Sequence, residues 1–329
     1  MTVTANLPEI YLPSRYSYIG VFLTMACPYR CSYCINQFDY PRSSHPTMPA
    51  ADWINALHRL TNLGRPDGQI PITLQGGEPS VHSGFYDIIN QLSPNIKIDI
   101  LTNLSFDVTK MIARVDPQRL KRQAPYASIR VSYHPEQTSL DELLQKVHRL
   151  QNAGFSIGVY GVMHPAQSDI ILAASHRARN EGIDFRTKEF LGNYKGKLYG
   201  QYKYPRACTS SVEQFSDQIN FPDNPAVQCR TTELLIGPDG SVYRCHHDLY
   251  NAYQPIGHIL DADFQIKDEF LSCSNYGHCN PCDIKVKTNH LQQFGHTSVE
   301  IKFSEQANPQ NPISPFPEPV KNIPSVIVG

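Results

Sequence analysis

The sequence predicts an α/β protein of serial strand–helix units, followed by a small module of short strands and turns that carries most of the cysteines. Three observations predict it. Six apolar strand-like runs alternate with helical runs between residues 18 and 190, and that alternation calls for parallel strands joined by right-handed crossovers. The rhythm stops after about residue 195, and five of the nine cysteines then fall between 229 and 282. Eight units would close a complete barrel. Six fit either a partial barrel or an open doubly wound sheet, and periodicity alone does not separate them.

Taken in order, "YIGVFLTMA" (18–26) reads as the first strand, ending just before Cys27. "PAADWINALHRLTNLG" reads as a helix with Asp52 near its start and Gly64 as its stop. "IPITLQ" is the second strand and Val81 to Leu92 the second helix. "IKIDILTN" is the third strand, with a helix around Val108 to Val115 behind it. "YASIRVSYH" and the amphipathic "SLDELLQKVHRLQNAG" form the fourth unit. "FSIGVYGVM", a helix from Gln167 to Asn180, and "IDFRTKEF" complete the six. Farther on, "ELLIGPDGSVYRC" reads as a hairpin turning at Pro238-Asp239-Gly240. The expected division is an N-terminal extension (1–17), the strand–helix domain (18–195), a linker (196–228), the cysteine module (229–300) and a proline-rich tail (301–329).

A formal net charge of −1 offers no global electrostatic reason to bind nucleic acid or an anionic membrane. The local basic run Arg114, Arg119, Lys121 and Arg122 reads as a solvated helix end. No apolar stretch approaches the roughly 18 residues of a membrane span. The N-terminus lacks a basic region followed by an apolar core, so no secretory signal is expected and the location is read as cytoplasmic. Nine cysteines in a reducing compartment point to metal ligation over disulfides.

Cys27, Cys31 and Cys34 lie within eight residues, directly after the first strand, where parallel α/β folds place their chemistry. Three thiolates at this spacing suit three irons of a cubane cluster, leaving one iron open. The alternative is zinc, whose closed sites need a fourth ligand. "CPYRCSYC" resembles the CxxxCxxC signature of the radical S-adenosylmethionine (AdoMet, SAM) superfamily, with Tyr33 before the last cysteine. "QGGEP" (75–79) resembles that superfamily's GGEP motif at the end of the second strand.

The resemblance covers residues 18 to 190 and implies a partial (β/α)6 TIM-type barrel. It also implies a 4Fe–4S cluster on Cys27, Cys31 and Cys34, with AdoMet chelating the open iron. By the same resemblance Gly76, Gly77, Glu78 and Pro79 hold the methionine amino end, and Tyr33 lies near the adenine. Thr102, Asn103 and Ser132 then make ribose or carboxylate contacts; read without the resemblance, they are strand-end caps. Lys188 and Glu189, ending the sixth strand, are expected to face the substrate, and His134 to be a hydrogen-bonded loop histidine.

The second cysteine set resembles the auxiliary-cluster modules called SPASM and twitch. A full SPASM module uses seven cysteines; five follow here, implying one auxiliary 4Fe–4S cluster. The expected ligands are Cys229, Cys245, Cys279 and Cys282, with Cys273 as a substitute for Cys279 or as part of a truncated SPASM pattern. Cys208 is read as a buried thiol, with a distant ligand as the alternative, and His246 and His247 as surface histidines, with donors behind Cys245 as the alternative. A four-cysteine zinc site is the alternative.

These resemblances imply reductive cleavage of AdoMet and hydrogen-atom abstraction from a substrate. The electron comes from a donor such as flavodoxin or ferredoxin, and the auxiliary cluster assists oxidation or bond formation. Only about 17 residues precede the first strand, leaving no room for a leader-peptide-recognition domain. The polar segment "TKEFLGNYKGKLYG" (187–200) suits a small polar substrate, a sugar or nucleotide derivative. Peptide or protein modification is the alternative, and a zinc-stabilised binding protein without catalysis the third reading.

Overall fold

The apolar runs of the first six units become strands because every second side chain is buried against a layer of helices. In a computed structural model the described residues are 7–37, 46–66, 68–124, 126–190, 192–199, 227–273, 286–287, 296–297 and 299–303. Strands β1 (Tyr18–Thr24), β2 (Ile72–Gly76), β3 (Ile98–Thr102), β4 (Ile129–Tyr133), β5 (Ile157–Met163) and β6 (Phe185–Glu189) run parallel, each beside its sequence neighbour. This is the mixed α/β architecture of a partial TIM-type barrel.

Helices α1 (Ala50–His58), α2 (Phe85–Gln91), α3 (Val108–Arg114), α4 (Leu140–Asn152) and α5 (Ser168–Asn180) link the strands. One core joins Val21, Leu74, Ile100, Val131 and Val159 of the strands to Trp53, Ile88, Met111, Val147 and Ile171 of the helices. Strand side chains alternate between faces, so Asp99, Arg130, Ser132, Tyr160, Arg186 and Lys188 belong to the face opposite the helices.

Three sequence expectations need correction. Helix α1 stops at His58, six residues before Gly64. Arg59 turns inward and donates to the carbonyls of Pro8 (2.7 Å) and Ile259, while Leu60 and Thr61 pair in parallel with Ile10 and Tyr11. Tertiary hydrogen bonds thus override a continuing helical pattern. The second helix begins at Phe85, after a 3-10 turn at Pro79–Val81. His82 breaks it, its ring bonding the Met48 carbonyl at 2.9 Å and accepting from the Gly84 N–H at 3.1 Å.

The basic run is also more than a solvated surface. Arg119 donates to the carbonyls of Ile89, Leu92, Ser93 and Ile96 at 2.9–3.3 Å, closing the end of α2. Arg122 is paired with fully buried Asp99. Arg114 alone keeps an exposed ion pair, 3.6 Å from Asp87.

Beyond the sixth unit come β7 (Val227–Thr231), β8 (Glu233–Ile236), β9 (Ser241–Tyr243), a short helix α6 (His246–Tyr250), β10 (Gly257–His258), β11 (Leu271–Cys273) and β12 (Val299–Phe303). The expected hairpin is β8–β9, turning through Gly240 at φ +91°. Strand β8 pairs in parallel with β1, so the hairpin extends the barrel sheet, in the order β6-β5-β4-β3-β2-β1-β8-β9-β10. Strands β11, β7 and β12 form a separate antiparallel sheet. Cys208, Cys279, Cys282, the proline-rich tail from residue 304 onward and the side chain of Glu189 lie outside the described residues. Among the described residues no helix is long and apolar enough to cross a membrane.

Candidate active site

The cysteine loop leaves β1 and is knitted at once to the Gly-Gly-Glu-Pro turn that leaves β2. Gly77 N donates to the Thr24 carbonyl at 2.8 Å and Glu78 N to the Ala26 carbonyl at 2.9 Å. The contact is too close for side chains. A Cβ on Gly77 would stand 2.3 Å from the Ala26 oxygen and 2.4 Å from that of Met25; one on Gly76, at φ +142°, would stand 2.0 Å from the Thr24 oxygen. Both glycines are thus required by backbone approach. Asn36, in the 3-10 turn Ile35–Gln37, donates to the Gly76 carbonyl at 3.2 Å.

Glu78 is fully buried and its carboxylate is an internal bracket. Oε1 accepts from Ser80 N (3.2 Å), Ser80 Oγ (2.6 Å) and Thr102 Oγ1 (2.8 Å), and Oε2 accepts from Asn103 N (2.7 Å). Burial pushes its carboxyl above the ordinary range and these hydrogen bonds pull it back. The glutamate thereby locks the end of β2 to the end of β3. Thr102 caps its own strand end, accepting from Leu104 N at 3.0 Å. The Asn103 amide reaches the Cys27 sulfur at 3.4 Å, so the third strand touches the cysteine loop directly.

Within the loop, Cys31 is buried while Cys27 and Cys34 are partly exposed, and Cys34 N donates to the Cys31 carbonyl at 3.2 Å. Three thiols thus sit on one tight turn at the strand mouth, with a donor to one sulfur already in place. That donor set suits an iron–sulfur cluster with one iron left open. Among the described residues no group of three or more His, Cys, Asp or Glu side chains is placed to hold a metal ion.

Residues that sequence reasoning passed over hold the loop from the far side. Glu136 accepts from Ser32 N (2.7 Å), Ser32 Oγ (2.6 Å) and Gln167 Nε2 (2.7 Å), and Gln137 Oε1 accepts from Arg30 N (3.0 Å). An acid and an amide immediately after the fourth strand, in "SYHPEQ", were the available signal. Tyr33 packs between two histidines: its hydroxyl is 3.0 Å from His134 Nδ1, and its ring stacks on His164 with centroids 5.3 Å apart. Burial, with help from the nearby Cys31 thiol, pushes the Tyr33 hydroxyl up.

His134 is the hydrogen-bonded loop histidine expected, and burial pushes it down to about 4, Glu136 acting weakly the other way. Its ring stays neutral in the folded protein but takes a proton in the unfolded chain below about pH 6.5. The stability it contributes is full above that value and is lost as pH falls toward its folded value. Unfolding free energy is expected to fall by about 1 kcal/mol more in wild type than in His134→Asn between about pH 7.5 and about pH 5.5. Denaturant titration at both pH values checks it, and equal losses would remove His134 as the titrating group.

On the sheet face opposite the helices, cations gather on aromatic rings. Arg122, Arg130 and Arg186 approach the Tyr126 ring at 4.8, 5.1 and 5.9 Å, and Lys188 lies 5.4 Å from the Tyr160 centroid. Arg130 is 3.4 Å from Asp99 and Arg186 is 3.0 Å from Asp184. Ser132 lies beside Tyr160 in the parallel register, on this same face.

In the second set, Cys229 and Cys273 are brought within hydrogen-bonding reach, with Cys245 near enough to act on Cys229 electrostatically. Hydrogen bonding to Cys273, then burial, pushes the Cys229 thiol up. Cys273 therefore lies beside Cys229, while Cys279 and Cys282 fall outside the described residues. The pairing of β7 with β11 places it there, Cys273 lying opposite Val227 in the ladder. Arg244 sits beside the three thiols; burial lowers it, but Asp248 and the cysteines more than offset that. His246 contacts Glu233 at 3.3 Å, and Asn251 lies 3.2 Å from the His247 ring.

No protein-family model matches the chain. It is 28% identical over 204 residues to the GTP 3′,8-cyclase of Photorhabdus laumondii, covering 57% of this chain and 59% of that protein. It is also 28% identical over 102 residues to the GTP 3′,8-cyclase of Pasteurella multocida, covering 30% of this chain and 29% of that one. The chain thus spans less than two thirds of the curated relatives it matches, which are radical SAM enzymes. The solved structure of anSMEcpe with bound AdoMet superposes with a TM-score of 0.50 at 12% identity, over 82% of this chain and 81% of that one. A second anSMEcpe structure, with AdoMet and the Kp18Cys peptide, gives the same values. At that identity the likeness is one of fold.

Proposed function

We propose that this chain, which has the fold and the cysteine signature of radical SAM enzymes, cleaves AdoMet reductively and abstracts a hydrogen atom from a nucleotide-like substrate. The observation that carries the reading is the union of the three-cysteine loop with the Gly-Gly-Glu-Pro turn through two backbone hydrogen bonds and no intervening side chain. Cys27, Cys31 and Cys34 would hold the cluster. Gly76, Gly77 and Pro79 would offer backbone to the methionine end of AdoMet. Glu78, its four hydrogen bonds spent internally, would shape that turn from behind.

A 4Fe–4S cluster held by these cysteines, with AdoMet bound, would supply the radical chemistry for hydrogen-atom abstraction, its electron coming from an external donor such as flavodoxin or ferredoxin. The chain's own residues bind, orient and exclude water. Tyr33, stacked on His164, offers an aromatic face at the loop. Support for a nucleotide-like substrate comes from the relatives' name. Cys229, Cys245 and Cys273, with Cys279 or Cys282 as a fourth ligand, would hold one auxiliary cluster of the twitch or SPASM kind.

The test is anaerobic purification, iron and zinc counting, and reduction with AdoMet in the presence of deuterated nucleoside triphosphates. Deuterium in 5′-deoxyadenosine is the expected result; a colourless protein carrying zinc in both cysteine sets would overturn it. Replacing Cys27, Cys31 and Cys34 together by alanine is expected to reduce 5′-deoxyadenosine to background while retaining the auxiliary iron. Loss of all iron from that variant would remove the auxiliary cluster. A second reading, modification of a peptide, is favoured by the peptide held in a structure of like fold. Deuterium transfer from a labelled peptide and from none of the nucleotides would select it.

A further inference from the structure

We propose that Glu136 is a positioning residue that lowers the reduction potential of the cluster held by Cys27, Cys31 and Cys34, an inference that rests on the reading of that loop as a cluster site. The geometry is specific. Ser32 directly follows Cys31, and both its N–H and its hydroxyl are committed to the Glu136 carboxylate at 2.7 and 2.6 Å. Gln167 anchors the same carboxylate from α5's entry at 2.7 Å, and Gln137 takes the Arg30 N–H at 3.0 Å. Two adjacent side chains, Glu136 and Gln137, therefore hold the loop's backbone between its first and last cysteine.

Two physical consequences follow, and both act in one direction. Hydrogen bonds donated to cluster or cysteine sulfur stabilise the reduced, more negative state and raise the potential. Here the Ser32 donors point to a carboxylate and are withheld from sulfur. The carboxylate also adds a negative charge beside a site that becomes more negative on reduction, which disfavours the electron. Gln167 and Ser32 supply neutral partners, and His164 acts on the exposed carboxylate electrostatically. The Arg30 guanidinium, which donates to the Cys27 and Tyr29 carbonyls, is a cation on the loop in wild type and in every Glu136 variant alike, so the charge of Glu136 is the one that changes between them. The ammonium and guanidinium groups of the opposite sheet face are engaged elsewhere, Arg130 with Asp99 and Arg186 with Asp184. A low potential is what a group that must reduce a reluctant sulfonium requires.

The experiment is an anaerobic redox titration with dithionite on the full chain, read by electron paramagnetic resonance, with iron counted on every sample. The loop signal is the one that changes when AdoMet is added. Glu136→Gln keeps an acceptor for Ser32 N–H and removes the charge; Glu136→Asp keeps the charge on a shorter arm. At the wild-type midpoint, the reduced-to-oxidised ratio is expected to rise about threefold to tenfold in Glu136→Gln. Glu136→Asp is expected to stay close to wild type, and iron content to match in all three.

An unchanged ratio in Glu136→Gln at full iron content overturns the proposal. So do equal shifts in the two variants, which would mark a steric effect, and loss of loop iron from either, which would mark a structural clamp alone. Absence of iron from the wild-type loop would instead overturn the cluster reading beneath it.

Discussion

Replacing Gly77 by alanine is expected to strip iron from the three-cysteine loop while leaving the rest of the chain folded. The added Cβ would meet two backbone oxygens, those of Ala26 and Met25, at 2.3 and 2.4 Å, and the Ala26 carbonyl carbon at 2.7 Å. A flexible side chain gives way cheaply, but here the backbone itself must move. The segment that moves is the one that delivers Cys27. A local cost of about 2–4 kcal/mol follows from such overpacking. Gly64→Ala is the matched control, because nothing lies within 4 Å of a Cβ there. Iron per chain after anaerobic reconstitution is the measurement, with 5′-deoxyadenosine formation beside it. If Gly77→Ala holds as much loop iron as Gly64→Ala, the close approach of turn and loop does not govern cluster binding.

Glu78→Leu is expected to lower global stability by about 3–5 kcal/mol and to abolish AdoMet cleavage. The leucine fits an apolar-sized space but leaves Ser80 N, Ser80 Oγ, Thr102 Oγ1 and Asn103 N without their acceptor. Stranded buried donors cost more than the net worth of the bonds they made. Asn103 then loses its backbone anchor, and with it the placement of the amide on Cys27 sulfur. Glu78→Gln keeps most of the shape and is expected to fall between wild type and leucine, since its NH2 must face at least one other donor. Denaturant unfolding and iron content together read this series. A leucine variant as stable as wild type would show that the carboxylate carries no structural burden.

Much of this architecture was legible in the chain. Strand–helix alternation predicts the six parallel strands, and the interval from Cys27 to Cys34 predicts three thiols on one loop, because both depend on local spacing. The hairpin at Pro238-Asp239-Gly240 is equally local, set by a glycine at positive φ. Element ends were less legible. The helical pattern past His58 is sound by period, yet Arg59 finds carbonyls at Pro8 and Ile259, one of them 200 residues away in sequence. Arg119 and Arg122 look like surface charge for the same reason: their partners lie on other units.

What the sequence by itself determined is the inventory of chemistry: three closely spaced thiols, two adjacent glycines with an acid behind them, and a second cysteine set beyond the barrel. Tertiary structure alone decided how that inventory is used. It turned Glu78 inward, where its carboxylate accepts from Ser80, Thr102 and Asn103 and joins two strand ends. It brought Cys273 to Cys229 through strand pairing. It placed Glu136 and Gln137 against a loop more than a hundred residues earlier. The physical reason is common to all three. Spacing along the chain fixes which groups a turn or strand can present, whereas hydrogen-bond partners and burial depend on neighbours that only the fold supplies.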